Sequence, residues 1–259
     1  MKLKFRLARQ GDVAQMQALW AQAFGDDGEF IQQFFRLAFS FSRCCVAEVE
    51  DGLAAMAHWL PCACGDKPLA YLYAVATRAD CRGRGYATAL LAFAEDTLRL
   101  RGVPGLVLVP GSPGLFNFYG KLGFSPCCPQ ATIEAQAGSK AVALTAANPA
   151  QYALTRRTLL PPGGVEQTGI CLDFQASLTP LYTGENLAVA AAPQPDGTIF
   201  APELLCPQPA EIAPGILRTL GAARGVFRTP DPGGTPFAMF KPLAGWSDPA
   251  PAYFGFAFD

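Results

Sequence analysis

Residues 2–8 alternate polar and apolar side chains, the period of a half-buried strand. The pattern then turns helical. Val13, Met16, Trp20 and Ala23 share one face, Asp12 stands at the N-cap position, and Gly25 is a natural stop. A second, strongly apolar helix covers 29–38 and carries Phe30, Ile31, Phe34, Phe35 and Leu37. Three strands follow over 43–49, 53–64 and 67–77, separated by the turn signals Asp51-Gly52 and Gly65-Asp66. A helix over 86–101 aligns Ala87, Leu90, Leu91, Ala94 and Leu98. A short buried strand at 106–109 and a short helix at 115–121, stopped by Gly123, complete this half. The order is strand, two helices, three antiparallel strands, helix, strand, helix. That is an α/β architecture with a mixed sheet.

Periodicity fades over 125–148, where Pro126 and Pro129 stand, and a boundary near 140 divides the chain into domains 1–140 and 141–259. The second part predicts a helix at 149–160, a mixed segment to 181, and strands at 187–192 and 198–205 around the turn Asp196-Gly197. A Pro-flanked helix at 209–221 follows, kinked or delayed by Pro214. Strands near 225–228, 237–241 and 253–258 end it.

Composition narrows the classes. Hydrophobic residues make up 51% and charged residues 16% of 259, which supports a packed core. A net charge of −1 lacks the basic footprint of a nucleic-acid binder. No apolar run reaches membrane-spanning length, and the N-terminus does not read as a signal peptide, so the expectation is a cytoplasmic protein without a membrane partner. Nine Cys are an odd number, as expected for reduced thiols. Cys62-Ala63-Cys64 beside a single His in the whole chain reads as apolar filler, and no metal is expected.

The candidate chemistry begins with Arg82-Gly83-Arg84-Gly85-Tyr86-Ala87, set between a strand and a helix. Consecutive N–H groups at a helix N-terminus, with Gly permitting close approach, make an anion site suited to a pyrophosphate. Arg82 and Arg84 add positive charge. A P-loop would need Gly-Lys-Ser/Thr, which is absent, and a dinucleotide fingerprint would need a βαβ start, whereas the strands here are hairpin-linked. About thirty residues later stands Asn117-Phe118-Tyr119-Gly120-Lys121-Leu122-Gly123-Phe124.

With both segments in this order, residues 1–125 resemble the GNAT superfamily of acyl-CoA-dependent N-acyltransferases. Arg82, Gly85 and Ala87 match its Arg/Gln-x-x-Gly-x-Gly/Ala loop. Asn117, Tyr119, Lys121, Gly123 and Phe124 match its later helix motif, with the Asn-to-Tyr spacing one shorter than in some members. The resemblance implies a GNAT fold and acetyl-CoA as cosubstrate. It implies that Val75, Ala76 and Thr77 hold pantetheine and polarise the thioester through their backbone, as an oxyanion hole does. It implies that Tyr119 protonates the departing thiolate and that Asn117 orients pantetheine or the loop. The general base is open among His58, Glu48 and the carboxylates Asp26, Asp27 and Glu29. Those three also form an acidic lip facing a cationic amine, or else a solvated helix N-terminus. A lone His in the apolar run 56–60 also reads as a core residue.

The run 69–77 is similar to two-unit bacterial acetyltransferases of the enhanced-intracellular-survival type, in which a second, degenerate GNAT-like unit follows the first. Those proteins are longer and carry a third domain. In the second half here, strand 198–205 enters helix 209–221 through Cys206-Pro207-Gln208-Pro209, and Pro brings no N–H to a phosphate. The expected activity is N-acetyl transfer to a primary amine of a small molecule or peptide, with a homodimer as the base-rate assembly. The competing reading is a catalytically silent acyl-CoA-binding regulatory protein.

Overall fold

The expected hairpins form. In the computed structural model, which describes residues 3–258, β1 (Lys4–Leu7) pairs antiparallel with β2 (Cys44–Val49). Residue 2 of the expected first strand lies outside the described residues. β2 turns back at Gly52 into β3 (Gly52–Cys64), with Cys45 opposite Ala57. β4 (Lys67–Thr77) follows, and β5 (Gly105–Leu108) joins it in parallel, with Tyr71 opposite Val107. Between β1 and β2 come α1 (Val13–Phe24) and α2 (Gly28–Leu37). Gly25 ends α1 in the left-handed region at φ 76°, where a β-carbon would be strained. Asp12 precedes α1 but does not cap it by its side chain. Its carboxylate accepts from Arg6 and from the Arg9 amide instead. α3 (Tyr86–Leu100) and α4 (Pro113–Lys121) complete the elements expected for this half.

Contacts sort the chain into two units whose boundaries do not follow the sequence. The first consists of Met1–Cys62, Lys67–Ser125 and Phe240–Ser247; the second of Ala63–Asp66, Pro126–Met239 and Asp248–Asp259. In the first, the sheet runs β1-β2-β3-β4-β5 and is extended beside β5 by the end of β13 (Thr235–Pro242). Its core takes in most of β2 and β3. Cys44, Cys45, Val46, Ala47 and Met56 have no exposed surface, which explains why β2 and β3 read as continuous rather than alternating runs.

In the second unit the strand order is β13, β6 (Ser125–Gln136), β12 (Arg224–Pro230), β11 (Ile199–Leu205), β10 (Leu187–Pro193), β9 (Leu181–Gly184), β7 (Thr145–Ala146). β8 (Val165–Glu166) pairs with Ala63 and Cys64 at the end of β3. α5 (Pro149–Leu159) carries a capping box of Asn148 and Gln151. α7 (Pro209–Leu220) covers a core of Leu187, Val189, Leu204, Ile216 and Phe227. Pro214 lies inside α7, so the helix neither starts late nor stops there.

Three expectations are corrected. The segment 125–136, read as aperiodic, is a twelve-residue strand, held by antiparallel pairing with β12 from Gln130↔Pro230 to Gln136↔Arg224. The mixed segment before 181 contains α6 (Ile170–Leu178), whose residues Cys171, Leu172, Phe174 and Gln175 are all buried. A helix buried on most sides shows no amphipathic period. Finally, 253–258 is not a strand. Its backbone is met by side-chain amides instead: Gln167 donates to the Phe256 carbonyl (2.7 Å) and accepts from the Phe256 amide (2.9 Å), and Gln130 donates to the Phe254 carbonyl (2.5 Å). The segment stays buried because those partners replace a ladder.

Candidate active site

The centre of the first unit is set by where β4 leaves β5. Their parallel pairing covers only Ala70↔Leu106, Tyr71↔Val107 and Leu72↔Leu108. β4 continues five residues further, to Thr77, without a β5 partner. Ala74 takes φ 48° there, in the left-handed region that a residue with a β-carbon enters at a cost. Nothing in the sequence signals this. Val75, Ala76 and Thr77 therefore lie on the edge of β4 beyond its pairing with β5, Ala76 buried and the other two half-buried.

The loop after β4 ends in two left-handed glycines, Gly83 (φ 74°) and Gly85 (φ 77°). Gly85 is the N-cap of α3, and no side chain caps the helix. The first hydrogen bond along the helix is Ala89 N–H to Gly85 C=O (3.0 Å). Among the described residues, the N–H groups of Gly85, Tyr86, Ala87 and Thr88 reach no protein acceptor. They form a cluster of free donors at the positive end of a fifteen-residue helix. Arg82 and Arg84 are exposed beside it, and Arg82 Nε donates to the Thr77 carbonyl (3.2 Å). The Tyr86 ring faces away into a cluster with Val49, Ala54 and Cys81. It serves the site through its amide.

Tyr119 lies on the buried side of α4, 7% exposed, with its ring edge-on to Phe124 (5.8 Å between centroids). Its carbonyl accepts from the Leu122 and Phe124 amides, fixing the turn through Gly123 at φ 89°. Burial pushes its phenol up to about 12. A cleft of about 100 Å³ extends from Thr88 in the first turn of α3 past Leu72 and Leu106 to Leu122 and Phe124. Thr88 at one end follows the donor loop in sequence, and Phe124 at the other is the ring partner of Tyr119. Asn117 is exposed. Two helical positions from Tyr119, it projects from a different face of α4, so the structure does not bring the pair together.

The candidate bases are placed less favourably. His58 is 1% exposed inside an aromatic cage of Trp20, Phe34, Phe35 and Phe39, at 5.3–6.0 Å between centroids. Burial lowers its pKa to about 3. It is a core imidazole, closed to a substrate proton, and its place as a base or substrate contact is corrected on that ground. Glu48 is held by Arg6 (2.7 Å) and Arg9 (3.3 Å), which keep its carboxyl below the usual range. Asp26 accepts from Trp20 Nε1 (2.7 Å), and Asp27 caps α2 at the Phe30 amide (2.8 Å). Glu29 is exposed in the first turn of α2. Two of the three acidic residues thus also hold the loop between α1 and α2.

Among the described residues no three His, Cys, Asp or Glu side chains gather as a metal ion would need, and no helix is long and apolar enough to cross a membrane. All nine Cys are free thiols, eight of them buried.

Residues 4–127 match the family described as acetyltransferase (GNAT) domain. This part of the chain is a GNAT acetyltransferase domain. The match spans β1 to the start of β6, and both glycine loop and Tyr119 lie inside it. The fold is shared with solved structures along most of the chain. A protein of Enterococcus faecalis V583 described as a probable N-acyltransferase is 15% identical, with 94% of this chain and 73% of that one covered at TM-score 0.73. A GCN5-related N-acetyltransferase from Anabaena variabilis is 16% identical, covering 92% and 72% at TM-score 0.72. Eis1 from Mycobacterium abscessus is 16% identical, covering 91% and 66% at TM-score 0.65. Among curated proteins none matches the chain by sequence.

Proposed function

We propose that the chain transfers an acetyl group from acetyl-CoA to a primary amine of a small molecule or peptide. The observation that carries this reading is the free edge of β4 beside the unpartnered amides of Gly85 to Thr88. That arrangement fits a diphosphate at the helix and an extended arm along the strand. The amides and Arg82 and Arg84 bind the diphosphate. The pantetheine lies along the part of β4 beyond its pairing with β5, where the backbone of Val75, Ala76 and Thr77 orients it. N–H groups on that edge stabilise the oxyanion that develops as the amine attacks, and they are fixed by β4 before the substrate arrives. The Tyr119 hydroxyl, protonated at neutral pH as an ordinary phenol is and kept so by burial, donates to the sulfur as the C–S bond breaks. The acidic loop 26–29 attracts a cationic amine.

The stretch 141–259, proposed as a degenerate GNAT-like domain, repeats the logic without the donors. The antiparallel pair β10–β11 leads into α7 and then to β12 parallel to β11, as β3–β4 leads into α3 and β5. The entry to α7 carries Pro207 and Pro209 where α3 has its glycines, so it presents fewer amides. A reducing cytoplasm suits nine free thiols.

Thermal unfolding followed by tryptophan fluorescence tests the cosubstrate, since Trp20, Trp59 and Trp246 all belong to the first unit. Acetyl-CoA at a hundred times its dissociation constant adds about 2.7 kcal/mol. Gly85→Glu strains the left-handed N-cap and puts a negative charge at the donor cluster, so the shift should vanish. No shift in the wild-type protein at millimolar acetyl-CoA would refute the reading.

A further inference from the structure

The GNAT match ends at residue 127, yet the first unit also contains Phe240–Ser247. This late segment is firmly built in. The Leu243 amide donates to the Pro104 carbonyl (2.7 Å). Phe240 packs so closely on Gly105 that a β-carbon there would lie 2.6 Å from its ring. Lys67 donates to Ser247 (3.0 Å) and stands over the Trp246 ring (5.3 Å). Between these anchors, Lys241 enters the wall of the cleft. Its Nζ meets Glu95 Oε2 at 2.5 Å, with the two side chains 21% and 11% exposed. It also stands over the ring of Phe124, 5.9 Å from the centroid, and that ring is the edge partner of Tyr119.

Glu95 belongs to α3, the helix whose first turn carries the free donors, and Phe124 belongs to the turn that ends α4. Lys241 therefore touches the helix that carries the donors and the ring that packs on Tyr119, while itself lying outside the stretch that defines the family. We propose that Lys241, paired with Glu95, is a positioning residue that sets the Phe124–Tyr119 unit against α3, and so aims the Tyr119 hydroxyl at the leaving sulfur. The proposal rests on the acyltransferase reading. A half-buried ammonium held by a carboxylate has a fixed place, and a ring packed under it has fewer orientations to sample. Removing the ammonium frees Phe124, widens the cleft wall and leaves Glu95 to Arg99 alone, a residue 44% exposed.

The test compares Lys241→Gln, Lys241→Arg, Tyr119→Phe and the double variant Lys241→Gln/Tyr119→Phe. Turnover is read by thiol release, acetyl-CoA affinity by calorimetry and folding by tryptophan fluorescence. Lys241→Gln should lower kcat about tenfold while acetyl-CoA affinity stays within about twofold, since the donors of α3 are untouched. Lys241→Arg should recover most of the loss. In the Tyr119→Phe background, Lys241→Gln should cost nothing more, because no hydroxyl remains to aim. Equal losses in both backgrounds, or a loss in affinity matching the loss in kcat, would overturn the proposal in favour of a purely structural role. If Lys241→Gln fails to fold, Glu95→Gln/Lys241→Gln removes both charges without leaving one buried and takes its place. Full wild-type turnover in these variants would sink this proposal alone; absence of wild-type turnover with any amine would sink it together with the acyltransferase reading.

Discussion

His58 is the single histidine of the chain, so its titration can be isolated. In the fold its pKa is about 3, against an ordinary value of 6.5, because burial in the aromatic cage disfavours the imidazolium. The unfolded chain therefore takes up a proton near pH 6.5 that the folded chain refuses. Stability is greatest above pH 6.5 and falls as pH drops toward 3, by about 1.4 kcal/mol per unit. Between pH 7 and pH 5 the loss is about 2 kcal/mol. The carboxylates with resolved shifts, Asp12, Glu48, Asp80 and Asp196, all move downward and so titrate below this window. Urea unfolding at pH 7, 6 and 5, followed by the three tryptophans of the first unit, measures the slope. His58→Phe keeps a flat ring among Trp20, Phe34, Phe35 and Phe39 and removes the proton. It should be flat from pH 7 to 5. An equal slope in both proteins, or no slope in the wild type, would refute the buried neutral imidazole and reopen His58 as a base.

Other expectations concern single groups. Tyr119→Phe should reduce kcat by about 10²-fold or more and leave the acetyl-CoA thermal shift intact; unchanged thiol release would remove Tyr119 from the chemistry. In the second unit, Glu203 is fully buried and accepts from Arg156, Tyr152 (2.9 Å) and Tyr253 (3.0 Å). Glu203→Gln leaves the Arg156 cation, 2% exposed, without its counter-charge and should cost about 3–5 kcal/mol in denaturant unfolding. A loss under 1 kcal/mol would mean that water reaches the cluster.

The parts of the site that the sequence reveals are those made by neighbours along the chain. Gly83 and Gly85 announce a left-handed loop, and the helix after them is amphipathic, so the donor cluster can be read directly. Tyr119 and Gly123 follow from one short helix and its stop. What stays hidden depends on distant partners. β6 exists because β12, almost a hundred residues later, supplies its ladder. The segment 253–258 is buried without regular structure because Gln130 and Gln167 serve its backbone. Ala74 accepts a left-handed conformation because β4 has lost β5 at that point, and no residue type advertises it. Lys241 belongs to a strand whose first part serves the other unit. His58 shows the limit of residue type alone: the same imidazole is a base or a core ring according to whether four aromatic rings close over it.

The phenol of Tyr119 decides what form the proposed acid step takes. A thiol titrates near about 8.5, while burial holds Tyr119 near 12. Complete transfer from phenol to thiolate would then be uphill by about 5 kcal/mol. A hydrogen bond from the hydroxyl to the sulfur costs no such penalty, and a charge-assisted one in a water-poor site is strong. The same burial that makes Tyr119 a poor acid makes it a well-fixed donor, since its ring is locked against Phe124 and its proton is never lost at neutral pH. The raised pKa therefore favours a mechanism in which Tyr119 stabilises the thiolate by a hydrogen bond as it forms, while the proton that the amine gives up to water is replaced by one that the thiolate takes from water as it leaves. Under that mechanism the direction of the hydroxyl matters more than its acidity, which is why a cation fixing Phe124 would have leverage over turnover.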